Sequence, residues 1–439
     1  MEGERKTLTQ LSVPICLETL FYMLSGMVDT LMLSSVSDQA VGAVGTANTY
    51  IGVFIIMFGV ISSGMVAVMS QNIGAGKPGI AYQARQLGLV FNALTGILMS
   101  FILAAFSGWI LKIVSIAPAL LEPAETYLKI VGGASFLNAL IPIFSSYLRV
   151  FGYTKHSLIG TVVGNVINII LNSVFLFVFH WGVMGVATAT VISKAVNLII
   201  VAAMGAVLIK AKQSPERAQP RRILAQIVKI GFPSAFETAL YNVAMTFIVC
   251  FMNHMDTDGM NVTARSYAMQ IANFSYCVGA ALAQANAIMT GWRIGAKKYE
   301  ECDRGTRKAV IYGLVTATCF SVTFAMTGRF IVHIFTDDTQ MIELVVKLLI
   351  VDIFLEFGRV TNLVYGQALK TSGDAIFPVI MGAIFMYLFA VGGTYFLGIH
   401  MGLLAVGAYI AMAGDECARA VGMVIRWKSG KWKSKSLVE

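Results

Sequence analysis

Leu11–Leu33, LSVPICLETLFYMLSGMVDTLML, is long and apolar enough to cross a bilayer as one helix, yet it carries two carboxylates, Glu18 and Asp29. A spanning helix needs about 20 residues at ~1.5 Å rise each. A charge inside hydrocarbon costs about 3 kcal/mol even on lenient scales, so a membrane helix bearing two of them turns them toward partners or water. Eleven residues separate Glu18 from Asp29, which is about 1100° of helix and ~20° past three full turns. Both acids share one face, and that face is expected to line a polar interior.

The rest of the chain has the same character. Of its 439 residues 57% are hydrophobic and 13% charged, with a mean hydropathy of +0.75, too little charged surface for a soluble protein of this size. The pattern predicts an all-α integral membrane protein with twelve spans, at residues 10–33, 43–70, 87–108, 124–148, 157–179, 183–209, 227–253, 262–290, 308–327, 340–369, 376–397 and 402–426. The net charge of +9 does not point to nucleic acid, because the basic residues have a sided distribution. Lys6, Lys77, Arg85, Arg149, Lys155, the 210–229 stretch, Arg293 to Lys308, Lys370 and the tail from Arg426 fall at loops of one side, whereas the other side holds little beyond Lys112, Lys129 and Arg329. The positive-inside rule then puts both termini and the linker in the cytoplasm, with the cell membrane as the surroundings. The start, MEGERKTLTQ, shows no small-residue cleavage site, so no removable signal is expected.

An internal repeat organises these spans. Residues 12–21, SVPICLETLF, match residues 231–240, GFPSAFETAL, pairing Pro14 with Pro233 and Glu18 with Glu237. Ile73–Lys77 (IGAGK) matches Ile294–Lys298 (IGAKK), Leu148–Gly152 (LRVFG) matches Leu369–Gly373 (LKTSG), and His180–Gly182 matches His400–Gly402. Four landmarks at a nearly constant offset mean two tandem six-span copies in the same orientation, the plan of one class of secondary transporters. The expected division is an N-lobe at 1–209, a polar linker at 210–226 containing KAKQSPERAQPRR, and a C-lobe at 227–439.

Three groups of buried polar residues carry the functional reading. Asn165, Asn168 and Asn172 recur at i, i+3 and i+7 in the fifth span. Such carboxamides either hold helices together, at about 0.6 kcal/mol each, or bind a ligand. Their repeat counterparts, near Met386–Val391, are apolar, and the counterpart of Asp29 is Ile248, so this cluster belongs to one lobe alone. Asp352, Glu356, Arg359 and Asn362 form a second stripe in the tenth span. Glu356 and Arg359 are spaced to pair along the helix, and the stripe reads either as a neutralised packing pair or as a gate or substrate site. Glu18 and Glu237 form the third group. Their recurrence in both copies favours a structural task, such as accepting hydrogen bonds from loop amides, with Arg149 and Lys370 anchoring the turns that Gly152 and Gly373 permit.

Little supports an enzyme. The five histidines sit at span ends or loops, and the six cysteines are scattered with no metal or disulfide spacing. No cofactor beyond a coupling ion is expected.

The residues quoted above, with Val28-Asp-Thr30, Gln71–Lys77 (QNIGAGK) and Gly231-Phe-Pro233, resemble the multidrug and toxic compound extrusion (MATE) transporters, in the form common among Gram-positive bacteria. The resemblance covers Leu8 to about Arg426. It implies a chain functional on its own that exports small organic cations or drugs by antiport with H+ or Na+, the lobes rocking to give alternating access. It also implies that Asp29 is the cation- or proton-handling aspartate, with Asn168 and Thr190 beside it and Asn172 standing where the family usually has an aspartate. Positions that are acidic in the C-lobe of other branches are Tyr241 and Arg359 here, with Glu356 one turn from the latter. Sodium at Asp29, Asn168, Asn172 and Thr190 and a proton at Asp29 both remain open. The alternative within the same broad superfamily is a lipid-linked precursor flippase, which wants a basic cavity; Arg359, Arg265 and Lys194 are the basic residues available in spans.

Overall fold

The computed structural model describes residues 6–113, 117–210, 214–255 and 258–438, so residues 211–213 of the linker lie outside it. Among the described residues there is no strand. The chain runs as α1 (Leu8–Ser34), α2 (Asp38–Gly74), α3 (Pro78–Ala105), α4 (Pro118–Gly132 and Ser135–Val150, bent by 41° between them), α5 (Thr154–Val178), α6 (Gly182–Leu208), α7 (Pro220–Asn253), α8 (Met260–Gly295), α9 (Tyr299–His333), α10 (Thr339–Ser372), α11 (Ile376–His400) and α12 (Leu404–Lys428). A short helix, Ser107–Ile113, precedes α4.

Every expected span falls on one of these helices, but several helices run past their apolar cores. The span expected at 308–327 sits inside α9, whose first turns, YEECDRGTR, are polar. Hydropathy marks where a helix meets hydrocarbon, not where its backbone hydrogen bonding stops. Among the described residues eight helices are long and apolar enough to cross a membrane, and the bent α4 makes a ninth. The remaining three, α8, α10 and α12, are as long but more polar: α10 and α12 carry buried Asp352, Glu356, Asp415, Glu416 and Arg419, and α8 carries Arg265 with a series of Asn and Gln amides.

The repeat is visible in the turns. α4 and α10 both end in a Schellman-type cap with glycine in the left-handed region, Gly152 at φ 85° and Gly373 at φ 101°. In each, the residue after the glycine bonds back across the turn, Tyr153 N to Leu148 O and Asp374 N to Leu369 O, at 2.9 and 3.0 Å. The α2–α3 turn uses Gly76 at φ 74°, and its copy between α8 and α9 uses Lys297 at φ 59°.

Two compact units form. The first comprises Leu17–Phe232 with Lys6, and the second Pro233–Glu439 with Thr7–Cys16. The division therefore departs from the expected lobe ends, because the described part of the linker and the first turns of α7 pack with the N-terminal helices. Gln83 on α3 exchanges two hydrogen bonds with the backbone of Ala218, at 2.8 and 3.1 Å. α7 also crosses α2 so closely that a Cβ on Gly64 would strike the Ile227 carbonyl and one on Gly231 the Val60 carbonyl. In the second unit α10 is central, flanked by α8, α9 and α12.

Gly64→Val and Gly231→Val are each expected to destabilise the first unit by about 1–3 kcal/mol, since backbone on the far side leaves no room to relax. A lowered midpoint of thermal unfolding of the purified protein measures this. Gly26→Ala, at a position with open space around it, is the control.

Candidate functional site

In the first unit Asp29, on α1, accepts a hydrogen bond from Asn172 Nδ2 on α5 at 2.6 Å. The same Asn172 amide reaches Asn168 Oδ1 at 3.3 Å. Asn172 and Asn168 are buried, while Asp29 is half-buried. Thr190, on α6, is buried and donates its hydroxyl to Val186 O at 2.8 Å, one turn back along its own helix. Thr190 and Asn48 stand near Tyr127, a buried tyrosine of α4 that feels the charge of Asp29. Five helices thus contribute to one polar cluster.

Asn165 takes the packing alternative, since it donates to Phe21 O at 2.7 Å, a helix-to-helix bond. Among the described residues Asp29 is joined to the stripe through Asn172. Tyr127, Asn48 and Lys194 join the cluster although no motif in the sequence assigns them to it. The available signal is Lys194, a mid-span cation one helical turn after Thr190.

Glu18 and Glu237 accept bonds from side chains and not from the loop amides expected for them. Arg149 Nη2 meets Glu18 Oε1 at 2.8 Å, and Ser157 and Thr161 donate to the same oxygen at 3.0 and 3.4 Å. Lys370 pairs with Glu237 in the second unit. Each copy therefore ties the first helix of its repeat to the end of its fourth, with the acid and base that recur together in sequence.

The second unit holds a cavity of about 480 Å3, lined by Asp352, Arg359 and Asn362 of the α10 stripe together with Tyr241, Tyr276 and Glu416 among others. Arg359 pairs with Glu356 along α10, reaches Glu416 at 3.8 Å and lies over the Tyr276 ring, 5.7 Å from its centre. Asn362 Nδ2 donates to Glu416 Oε2 at 2.9 Å. On α12, Arg419 makes a bidentate bond to Asp415 at 3.0 and 2.6 Å and meets Glu416 at 2.8 Å. Glu416 is thus the hub that braces α10 against α12. The Asp415, Glu416 and Arg419 triad lies outside the sequence reading, although three charges within five residues of an apolar segment announce it.

One member of the stripe makes no direct bond to this network, though it feels the charge of Arg359. Asp352 is 4% exposed and lines the cavity, yet among the described residues it makes no hydrogen bond or ion pair. Each basic side chain lining the cavity, Lys370, Arg359 and Arg419, already has a carboxylate partner.

Long apolar helices in two repeated sets, with carboxylates and amides buried among them, define a multi-pass membrane transporter and not an enzyme. The MatE family model matches the chain twice, at residues 14–174 and 233–396, and the chain belongs to the MATE family. Relatives include an uncharacterised transporter, YisQ, of Bacillus subtilis, 31% identical over 98% of this chain and 96% of the relative. The probable multidrug resistance protein NorM of Thermotoga maritima is 25% identical over 99% and 94%. Among solved structures, a MATE transporter in the bent conformation superimposes with a TM-score of 0.88 at 18% identity, covering 98% of this chain and 97% of the other. An outward-facing multidrug resistance MATE transporter gives 0.87, also at 18% identity, over 97% of this chain and 95% of the other. At that identity these two show the fold alone.

Glu18→Ala removes the carboxylate that Arg149, Ser157 and Thr161 share, a loss of about 3 kcal/mol, whereas Asn165→Ala removes one ordinary bond worth about 1 kcal/mol. Thermal unfolding of the two variants is expected to separate them in that order.

Proposed function

We propose that this protein is a secondary antiporter that exports small organic cations, driven by inward movement of H+ or Na+ taken up at Asp29. The observation that carries this reading is the asymmetry of the two copies. Asp29 sits in a polar cluster of the first unit, bonded to buried Asn172, while its repeat counterpart, Ile248, is fully buried in an apolar core with Ala244 and Met252. A structural requirement common to both copies would have been met the same way in both, as it is at Glu18 and Glu237. A cost of several kcal/mol accepted in one copy alone belongs to function.

In the proposed cycle the coupling cation binds Asp29 from outside, the Asn172 bond rearranges, and the affinity for the organic cation falls. The two ligands need no contact, only different affinities for the two states of the protein. The substrate site proposed for the second unit is its cavity, whose size suits a drug-like molecule and whose Asp352 carboxylate has no direct hydrogen bond or ion pair among the described residues. With each lining base already paired, the cavity offers little to a pyrophosphate, which favours a cation exporter over a lipid-precursor flippase. Methionines at 269, 386 and 412 in the lining supply adaptable apolar contacts. The protein is placed by this reading in the plasma membrane as a functional monomer with both termini in the cytoplasm.

Everted vesicles under an imposed proton or sodium gradient test the scheme with a fluorescent cationic dye. Asp29→Asn is expected to cut gradient-driven uptake by about tenfold or more. Uptake equal to wild type removes Asp29 from the coupling role. Asp352→Asn is expected to raise the half-saturating dye concentration about tenfold, one lost charge contact of ~1.4 kcal/mol. An unchanged value takes Asp352 out of the substrate site.

A further inference from the structure

The N-terminal cluster contains a cation of its own. Lys194 lies in the middle of α6, a helix long and apolar enough to cross a membrane, one turn beyond Thr190 on the same face. A lysine at that depth is costly and calls for a partner, yet among the described residues it makes no hydrogen bond or direct ion pair. The opposite charge that acts on it is Asp29, and the opposite charge that acts on Asp29 is Lys194.

A second observation shows what the cluster lacks. Asn172 gives its amide hydrogens to Asp29 and Asn168, which fixes its orientation, and its Oδ1 is left fully buried with no partner. A carboxylate and an orphaned carbonyl oxygen side by side are half of a cation site. Either a free monovalent cation or a tethered ammonium completes it. Lysine's four-carbon stem with three rotatable donors suits the second role, serving two acceptors at once.

We infer that the Lys194 ammonium, which here acts on Asp29 without touching it, swings onto Asp29 and Asn172 Oδ1 as the resident cation of this site and thereby excludes sodium. This rests on the reading of Asp29 as the coupling residue. It resolves the choice of ion left open there. The oxygens Asp29, Asn168, Asn172 and Thr190 make an acceptable sodium donor set by type, but they include one carboxylate, and its charge is already balanced from within. A sodium ion entering would face a like charge in a medium of low dielectric. The sodium gradient therefore does no work at this site.

The test is sodium-specific stabilisation of the purified full-length protein, comparing NaCl with choline chloride at equal ionic strength. Wild type is expected to show no sodium-specific change. Lys194→Gln and Lys194→Met, which keep the stem's bulk and remove the charge, free the oxygen set and are expected to gain a rise of about 3 °C or more in unfolding midpoint that grows with sodium. Adding Asp29→Asn to either variant should abolish that rise, and Lys194→Arg should behave as wild type. A sodium-specific rise in wild type overturns the inference. So does its absence in whichever of the two neutral variants folds, or its persistence after Asp29→Asn. In proteoliposomes, a sodium gradient alone should drive dye export by Lys194→Gln and not by wild type. Wild-type protein that moves no dye under either gradient would count against the exporter reading, while the sodium comparison in detergent would still decide the role of Lys194.

Discussion

Any charge or amide carried into hydrocarbon must find its partner within the protein, because neither lipid nor a helical backbone with its bonds already made can supply one. That constraint explains why the polar side chains of this chain occur in sets. Glu18 is met by Arg149, Glu237 by Lys370, and Arg359 by carboxylates of its own helix and of α12. With so much of the charge internally balanced, what is left unbalanced becomes informative. Among the described residues, Asp352 and Lys194 make no direct bond, buried Arg265 meets a methionine sulfur and no carboxylate, and an oxygen of Asn172 beside Asp29 is orphaned.

The same constraint separates structural from functional polarity. Ties present in both copies, such as the acid-base pair joining the first and fourth helices of each repeat, hold the unit together wherever the copy sits. The cluster at Asp29 has no twin. Where the first copy has a carboxylate among amides, the second has Ile248 in an apolar core, so the two copies share a frame and differ in the chemistry of their cores.

The architecture is legible in the sequence because span length, hydropathy and repeat offset are properties of one stretch at a time. All twelve helices and the glycine turns at Gly152 and Gly373 follow from local rules. Contacts between helices do not. Glu18 and Arg149 each stand out in the sequence, yet their meeting spans 131 positions, and no periodicity within either helix announces it. Asn165 shares a helical face with Asn168 and Asn172 but ends on the Phe21 carbonyl, since a face says where a residue points and not what stands opposite. The α12 triad escapes for another reason: its charges look like a helix too polar to span, when they are the other half of the α10 stripe.

Lys297 shows what divergence between the copies entails. It occupies the left-handed conformation that its counterpart Gly76 adopts freely, at a backbone cost of about 1–2 kcal/mol. In return an exposed ammonium stands just past the end of α8, where the free carbonyls of a helix terminus favour positive charge. Lysines beside a span also bias the direction in which it inserts. The second half thus carries two adjacent lysines at this loop, Lys297 and Lys298, where the first half carries Lys77 alone.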